Sequence, residues 1–98
     1  MTAKLSIEAI NSSLEAAHSD WTLNQDSDLI QRLFNFDNYY HTMAFANAVA
    51  WVAHQHDHHP EMVIGYRSCR VDYFTHSVKG LSSLDFICAQ AIDLLVTD

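Results

Sequence analysis

Four of the seven histidines in this chain fall within the stretch HQHDHHP, at His54, His56, His58 and His59, directly before the only proline, Pro60. Imidazole exchanges protons near neutral pH and also ligates metals, so the cluster invites two chemistries. The metal reading starts from His54 and His58, which are four residues apart and would share one helix face, as zinc-binding pairs do. A catalytic zinc needs a third protein ligand and a structural zinc a fourth, yet neither Cys69 nor Cys88 is near in sequence, and an HExxH site would need Glu where Gln55 stands. Histidine runs also bind metals adventitiously.

Acid–base chemistry asks for less. A helix running up to Pro60 should stop at about Asp57 or His58, because the residue before proline is pushed out of the α region. His58 and His59 then sit at a helix C-terminus, where the partial negative charge and the neighbouring Asp57 favour an imidazolium and hence a proton donor. His54 and His56 read as solvated residues of the outer helix face. His58 and His59 read equally well as a polar helix end, and the residues alone leave that choice open. His76 is expected to close a later strand, from which it could return to the same cleft.

The elements that must position these groups follow from periodicity. Ser6 is placed to cap a first helix, with Leu5 and Ile10 as a hydrophobic staple and Ile7, Ile10, Leu14 and Ala17 at helical spacing, ending near His18 to Asp20. Trp21 and Leu23, the turn NQDSD and the alternation Ile30, Arg32, Phe34, Phe36 predict a β-hairpin. Asp37 or Asn38 caps a second helix whose Tyr40, Met43, Ala44, Val49 and Val52 would lie on a sheet. MVIGY and CRVDYFTH read as two further strands, the second with Cys69, Val71, Tyr73 and Thr75 on one face. Ser82 and Asp85 form a capping box for a last helix with a buried stripe of Phe86, Ala89, Ile92 and Val96. The order is α-β-β-α-β-β-α, which predicts one α+β domain over residues 1–98, with a four-stranded antiparallel sheet and the helices packed on one face.

Composition narrows the function classes. Twelve acidic against five scattered basic residues, a formal charge of −7, argue against nucleic-acid binding. With two glycines no Gly-rich phosphate cradle is available, and GxSxG, P-loop and GxGxxG patterns are absent. The aromatics Trp21, Phe34, Phe36, Tyr39, Tyr40 and Phe45 have spacing that suits a core better than a base-stacking platform. The start lacks a signal or transit pattern and no apolar run is long enough to span a bilayer, so the cytoplasm is the expected place. Cys69 and Cys88 read as reduced core thiols.

The spacing His54-x3-His58-His59-Pro60, then Tyr66, His76 and Asp85, resembles the signature of the pterin-4a-carbinolamine dehydratases. FNFDNYYHTMAFANAVAWVA and GLSSLDFICAQAIDLL are similar to that family's second-helix and closing-helix segments, so the likeness covers about residues 21 to 95. It implies dehydration of 4a-hydroxytetrahydrobiopterin to quinonoid dihydropterin, recycling the cofactor of an aromatic amino acid hydroxylase, with no metal and no organic cofactor. It implies that His58 and His76 transfer protons, that His59 binds and orients the pterin, and that Asp57, Phe74, Thr75, His76 and Ser77 contact it. Asp85 matches a signature position, as a helix cap or as a supporting carboxylate. His56 and Phe74 depart from the apolar and small hydroxyl residues usual at their places, and Phe74 would narrow the pocket or stack on the ring. The resemblance further implies homodimers or homotetramers, for which Tyr39, Tyr40, Phe45 and Trp51 supply surplus apolar surface. A role as a protein-interaction cofactor for a transcription-factor dimer and a histidine-cluster metal site are the alternative functions.

Overall fold

The computed structural model describes residues 2–96; residues 1, 97 and 98 of the expected 1–98 domain lie outside them. Helix α1 (Ile7–Ala16) starts at Ser6, whose hydroxyl accepts the Ala9 N–H at 3.1 Å, a cap of the kind that stabilises a helix by ~1 kcal/mol. It stops short of the expected His18–Asp20 and buries Ile10, while Ile7, placed on its inner stripe by the sequence, is exposed. Strands β1 (Thr22–Leu23) and β2 (Ile30–Asn35) form the first hairpin, and β3 (Glu61–Ile64) and β4 (Ser68–Tyr73) the second. The sheet order is β1-β2-β4-β3, antiparallel throughout, so the hairpins join through β2 and β4 with Ile30 opposite Tyr73 and Phe34 opposite Cys69.

Alternation along β2 and β4 turns Ile30, Arg32, Phe34, Cys69, Val71 and Tyr73 towards the helices, as the pattern predicted. Helix α2 (Tyr39–His56), capped by the Asn38 side chain, packs through Thr42, Phe45, Ala46, Val49, Val52 and Ala53. Tyr40 and Ala44, expected on that stripe, are exposed. The reason is physical: α2 carries no Asp, Glu, Lys or Arg, so its sequence shows little contrast between faces. Helix α3 (Ser83–Asp93) buries Asp85, Cys88, Ala89 and Ile92. Phe86 is only half-buried, and Val96 lies beyond the helix end.

A polar clamp ties α3 to the sheet. Asp93 accepts the Trp21 indole N–H at 2.9 Å and the Arg32 guanidinium at 2.7 Å, joining the last turn of α3 to β2 and to the residue that enters β1. This fixes the helix that carries Asp85. Among the described residues, no helix is long and apolar enough to cross a membrane.

Candidate active site

Helix α2 ends one residue earlier than Pro60 alone predicts. Asp57 adopts the left-handed conformation (φ 48°, ψ 45°), its N–H donates to the His54 carbonyl at 3.2 Å and the His58 N–H donates to the Ala53 carbonyl at 3.1 Å. These two bonds make a Schellman motif, and they put His58 in the place just outside the helix whose backbone the motif anchors. The ring of His58 therefore leaves the helix axis and reaches across to α3.

There it meets Asp85. His58 Nε2 lies 2.6 Å from Asp85 Oδ1, although the two are 27 residues apart in sequence. The Asp85 carboxylate is fully buried, and its Oδ2 also accepts the Thr75 hydroxyl at 2.7 Å and the Ser82 N–H at 2.9 Å, the last as one arm of the predicted capping box. Thr75 Oγ1 and Ser82 Oγ are 2.6 Å apart, so with the Thr75 proton on Asp85 the Ser82 hydroxyl donates to Thr75. The carboxylate is thus an acceptor on both oxygens, which places the proton of the neighbouring imidazole nitrogen on Nε2. Its partner across the helix end is Asp85 rather than the adjacent Asp57 that sequence reasoning favoured.

His76 stands apart from this network. Strand β4 ends at Tyr73, three residues before the strand end expected at His76, and the chain turns through a short 3-10 segment, His76–Val78, with Lys79 left-handed at φ 54°. The Thr75 N–H donates to the Gly80 carbonyl at 2.8 Å and closes this loop on itself. The Lys4 side chain lies across Gly80, close enough that a Cβ there would come within 2.8 Å of it and displace its flexible end. His76 is exposed at the loop's start and lines an open cleft of about 430 Å³ with Asp28, Leu29, Phe74, Lys79 and Gly80.

The structure joins the expected residues unequally. His58, Thr75 and Asp85 share one hydrogen-bonded network, with His58 Nε2 also 3.5 Å from Thr75 Oγ1. Phe74 and His76 share the cleft, their ring centroids 5.9 Å apart. Thr75 joins the two groups by sequence, because it contacts His58 and immediately precedes His76. Asp57, His59 and Ser77 are exposed, and His59 makes no side-chain hydrogen bond among the described residues. His54 is exposed and stacks on Trp51 at 5.7 Å, while His56 turns back to the Val52 carbonyl at 3.1 Å. No group of three or more His, Cys, Asp or Glu side chains that could hold a metal ion occurs among the described residues.

Sequence reasoning missed three participants. Ser82 carries only a helix-cap pattern in the sequence; Asp28 and Leu29 reach the cleft from the β1–β2 turn, which carries no chemical signal.

The architecture is that of a small α+β domain with a buried carboxylate–histidine pair at one helix end and a second histidine on the loop after the last strand. The family model described as pterin 4 alpha carbinolamine dehydratase matches residues 3–95, and the chain belongs to that family. A Nitrosomonas eutropha protein named "Putative pterin-4-alpha-carbinolamine dehydratase" is 54% identical over 83 residues, covering 85% of this chain and 72% of its own length. A Legionella pneumophila protein of the same name is 45% identical over 96 residues, 98% of this chain and 85% of that one. Among solved structures, a Brucella melitensis protein described as a transcriptional coactivator/pterin dehydratase superposes with a TM-score of 0.91 at 27% identity, over 97% of this chain and 100% of that chain. A pterin dehydratase-like protein described as a RuBisCO assembly factor shares the fold at a TM-score of 0.69 and 22% identity, over 80% of this chain and 90% of that one.

Proposed function

We propose that the chain dehydrates 4a-hydroxytetrahydropterins of the biopterin class to the quinonoid dihydropterin, in the cytoplasm, in support of a pterin-dependent aromatic amino acid hydroxylase. The observation that carries this reading, beside family membership, is the His58 imidazole held by a fully buried carboxylate next to the segment that presents His76. The reaction breaks the C4a–O bond. An acid protonates the departing hydroxyl, a base removes the N5 proton, and the electrons of the N–H bond form the C4a=N5 double bond. Two imidazoles, one protonated and one neutral, supply both steps, and solvent restores their protons afterwards. With Nε2 of His58 committed to Asp85, Nδ1 is the nitrogen left to face the substrate. His76 exchanges the second proton. His59, exposed beside His58, orients the pterin, while Asp57, Phe74, Thr75 and Ser77 provide contacts to its edge and face. No metal or organic cofactor takes part in these steps.

The test is a direct assay with freshly generated 4a-hydroxytetrahydropterin, before and after dialysis against a chelator. Faster loss of the 4a-adduct than in buffer, equal in both preparations, is expected; a rate equal to buffer in both would overturn the reading, and activity that returned only with Zn²⁺ would replace the two-histidine mechanism.

One observation favours an interaction role alongside catalysis. Tyr39, Tyr40 and Trp51 are exposed on α2, a helix without Asp, Glu, Lys or Arg, and β3 leaves one edge of the sheet unpaired among the described residues. Such surfaces commonly recruit a further copy of the same chain. We assign them to homodimers or homotetramers, with a regulatory protein partner as the alternative occupant; a light-scattering mass equal to the 11.1 kDa chain at micromolar concentration would sink this assembly.

A further inference from the structure

His58 is held at more points than the Asp85 bond. Its N–H is anchored by the end of α2 at Ala53, as described above. Its carbonyl accepts the Tyr73 hydroxyl at 3.0 Å, and its ring stacks on the Tyr73 ring with centroids 5.2 Å apart and planes 19° from parallel. Tyr73 is itself fully buried, at the end of β4 opposite Ile30, so neither its ring nor its hydroxyl can swing away. The phenol thus donates its one proton to the His58 carbonyl, with the buried Cys88 of α3 nearby. Tyr73 and Thr75 are two apart on one face of the extended chain, so period-two spacing delivers one side chain beneath the ring of His58 and another to the carboxylate at its edge.

We infer that Tyr73 is a positioning residue for His58: it fixes the imidazole plane and the carbonyl behind it, so that Nε2 stays on Asp85 and Nδ1 stays turned to the substrate. The inference rests on the dehydratase reading for its kinetic consequence but not for its structural one. A buried tyrosine needs a partner for its hydroxyl, and here that partner is the backbone of the histidine proposed to move the proton. Burial, with the nearby Cys88 and Asp85, raises the phenol well above its ordinary value and keeps it a donor throughout the working range of pH. Orientation effects of this kind act on the chemical step more than on binding.

The test compares Tyr73→Phe, which keeps the ring and loses the hydroxyl, with Tyr73→Leu, which loses both, in the full-length chain. Expected are a fall in kcat of about 10-fold for Tyr73→Phe and about 100-fold for Tyr73→Leu, with KM within roughly 3-fold of the parent. In a His58→Ala background, Tyr73→Phe should lower the residual rate no further, because Tyr73 acts through the histidine. Independently of activity, the ¹⁵N resonances of the His58 ring should report a single Nε2–H tautomer in the parent and an average of tautomers in Tyr73→Leu. Should Tyr73→Leu not fold, Tyr73→Phe and the double variant carry the test. Unchanged kcat in Tyr73→Phe, or equal losses from it with and without His58, would overturn the inference. If the parent showed no dehydration, the functional reading would fail while the ring resonances still decided the hold on His58.

Discussion

The two histidines proposed to carry the chemistry occupy opposite kinds of ground. His58 is 11% exposed in its side chain, and is fixed by α2 through its N–H, by β4 through its carbonyl and ring face, and by α3 through Nε2. His76 is exposed on a six-residue loop that is closed by the Thr75–Gly80 bridge and held by no side-chain hydrogen bond to its ring among the described residues. One imidazole is set in place before substrate arrives, and the other is free to approach it. Thr75 lies at the junction, because its hydroxyl supports the Asp85 carboxylate while its backbone starts the loop. The division suits a reaction with two proton transfers at different atoms: the rigid partner fixes the geometry, and the accessible one exchanges with water.

The comparison is tested most severely by removing each ring. His58→Ala and His76→Ala should each lower the dehydration rate by roughly 100-fold or more, the usual contribution of a general acid or base. Only their effects on stability should differ. His58→Ala deprives a buried carboxylate of a charge-assisted hydrogen bond, a loss on the order of 2 kcal/mol, or roughly 10 °C in melting temperature for a domain of this size. His76→Ala removes an exposed ring and should melt within about 2 °C of the parent. Both variants should still fold. Thermal melts beside the rate assay check this, and equal melting temperatures for the two variants would mean that the contrast between the regions is not energetic.

The sequence specified the regular elements better than the site. Helix starts at Ser6, Asn38 and Ser82 were readable because capping is a local contest among neighbouring hydrogen-bond groups. The inward faces of β2 and β4 were readable because alternation is local as well. The end of β4 was not: CRVDYFTH keeps strand-like residues past Tyr73, and the turn that follows places Lys79, not a glycine, in a left-handed conformation. The same holds for Asp57, whose left-handed backbone sets where His58 points without any glycine to announce it. Asp85 was visible as a helix cap and as a signature position, yet its bond to His58 joins α3 to the end of α2, a tertiary fact that no local pattern encodes. Tyr73 was placed on the buried face, and the signal for its further role was its hydroxyl, the one polar handle among Cys69 and Val71 on that strand face.

A smaller effect sharpens the comparison from the side of pH. Beneath His58 lies Tyr73, while Cys88 is buried on α3 and Cys69 further along β4; burial raises all three above their ordinary values, 10.0 for the phenol and 9.0 for the thiols. In the unfolded chain these groups lose their protons first, so above those values the unfolded state binds fewer protons and stability falls as pH rises. Their contribution is therefore fully present below about pH 9 and is lost above it, with a slope of at most about 1.4 kcal/mol per pH unit for each group. The parent should hold its melting temperature from neutrality to about pH 9 and then decline, more steeply once the tyrosine joins. Tyr73→Phe should flatten the decline beyond pH 10 while His76→Ala leaves it unchanged, since only the former belongs to the buried seam. Both thiols should resist a disulfide reagent at pH 8 in the folded chain and react together on unfolding. Melting curves that fell identically for the parent and Tyr73→Phe above pH 10 would show that the phenol beneath His58 ionises as freely in the folded chain as in water, and the rigid half of the site would lose its buried support.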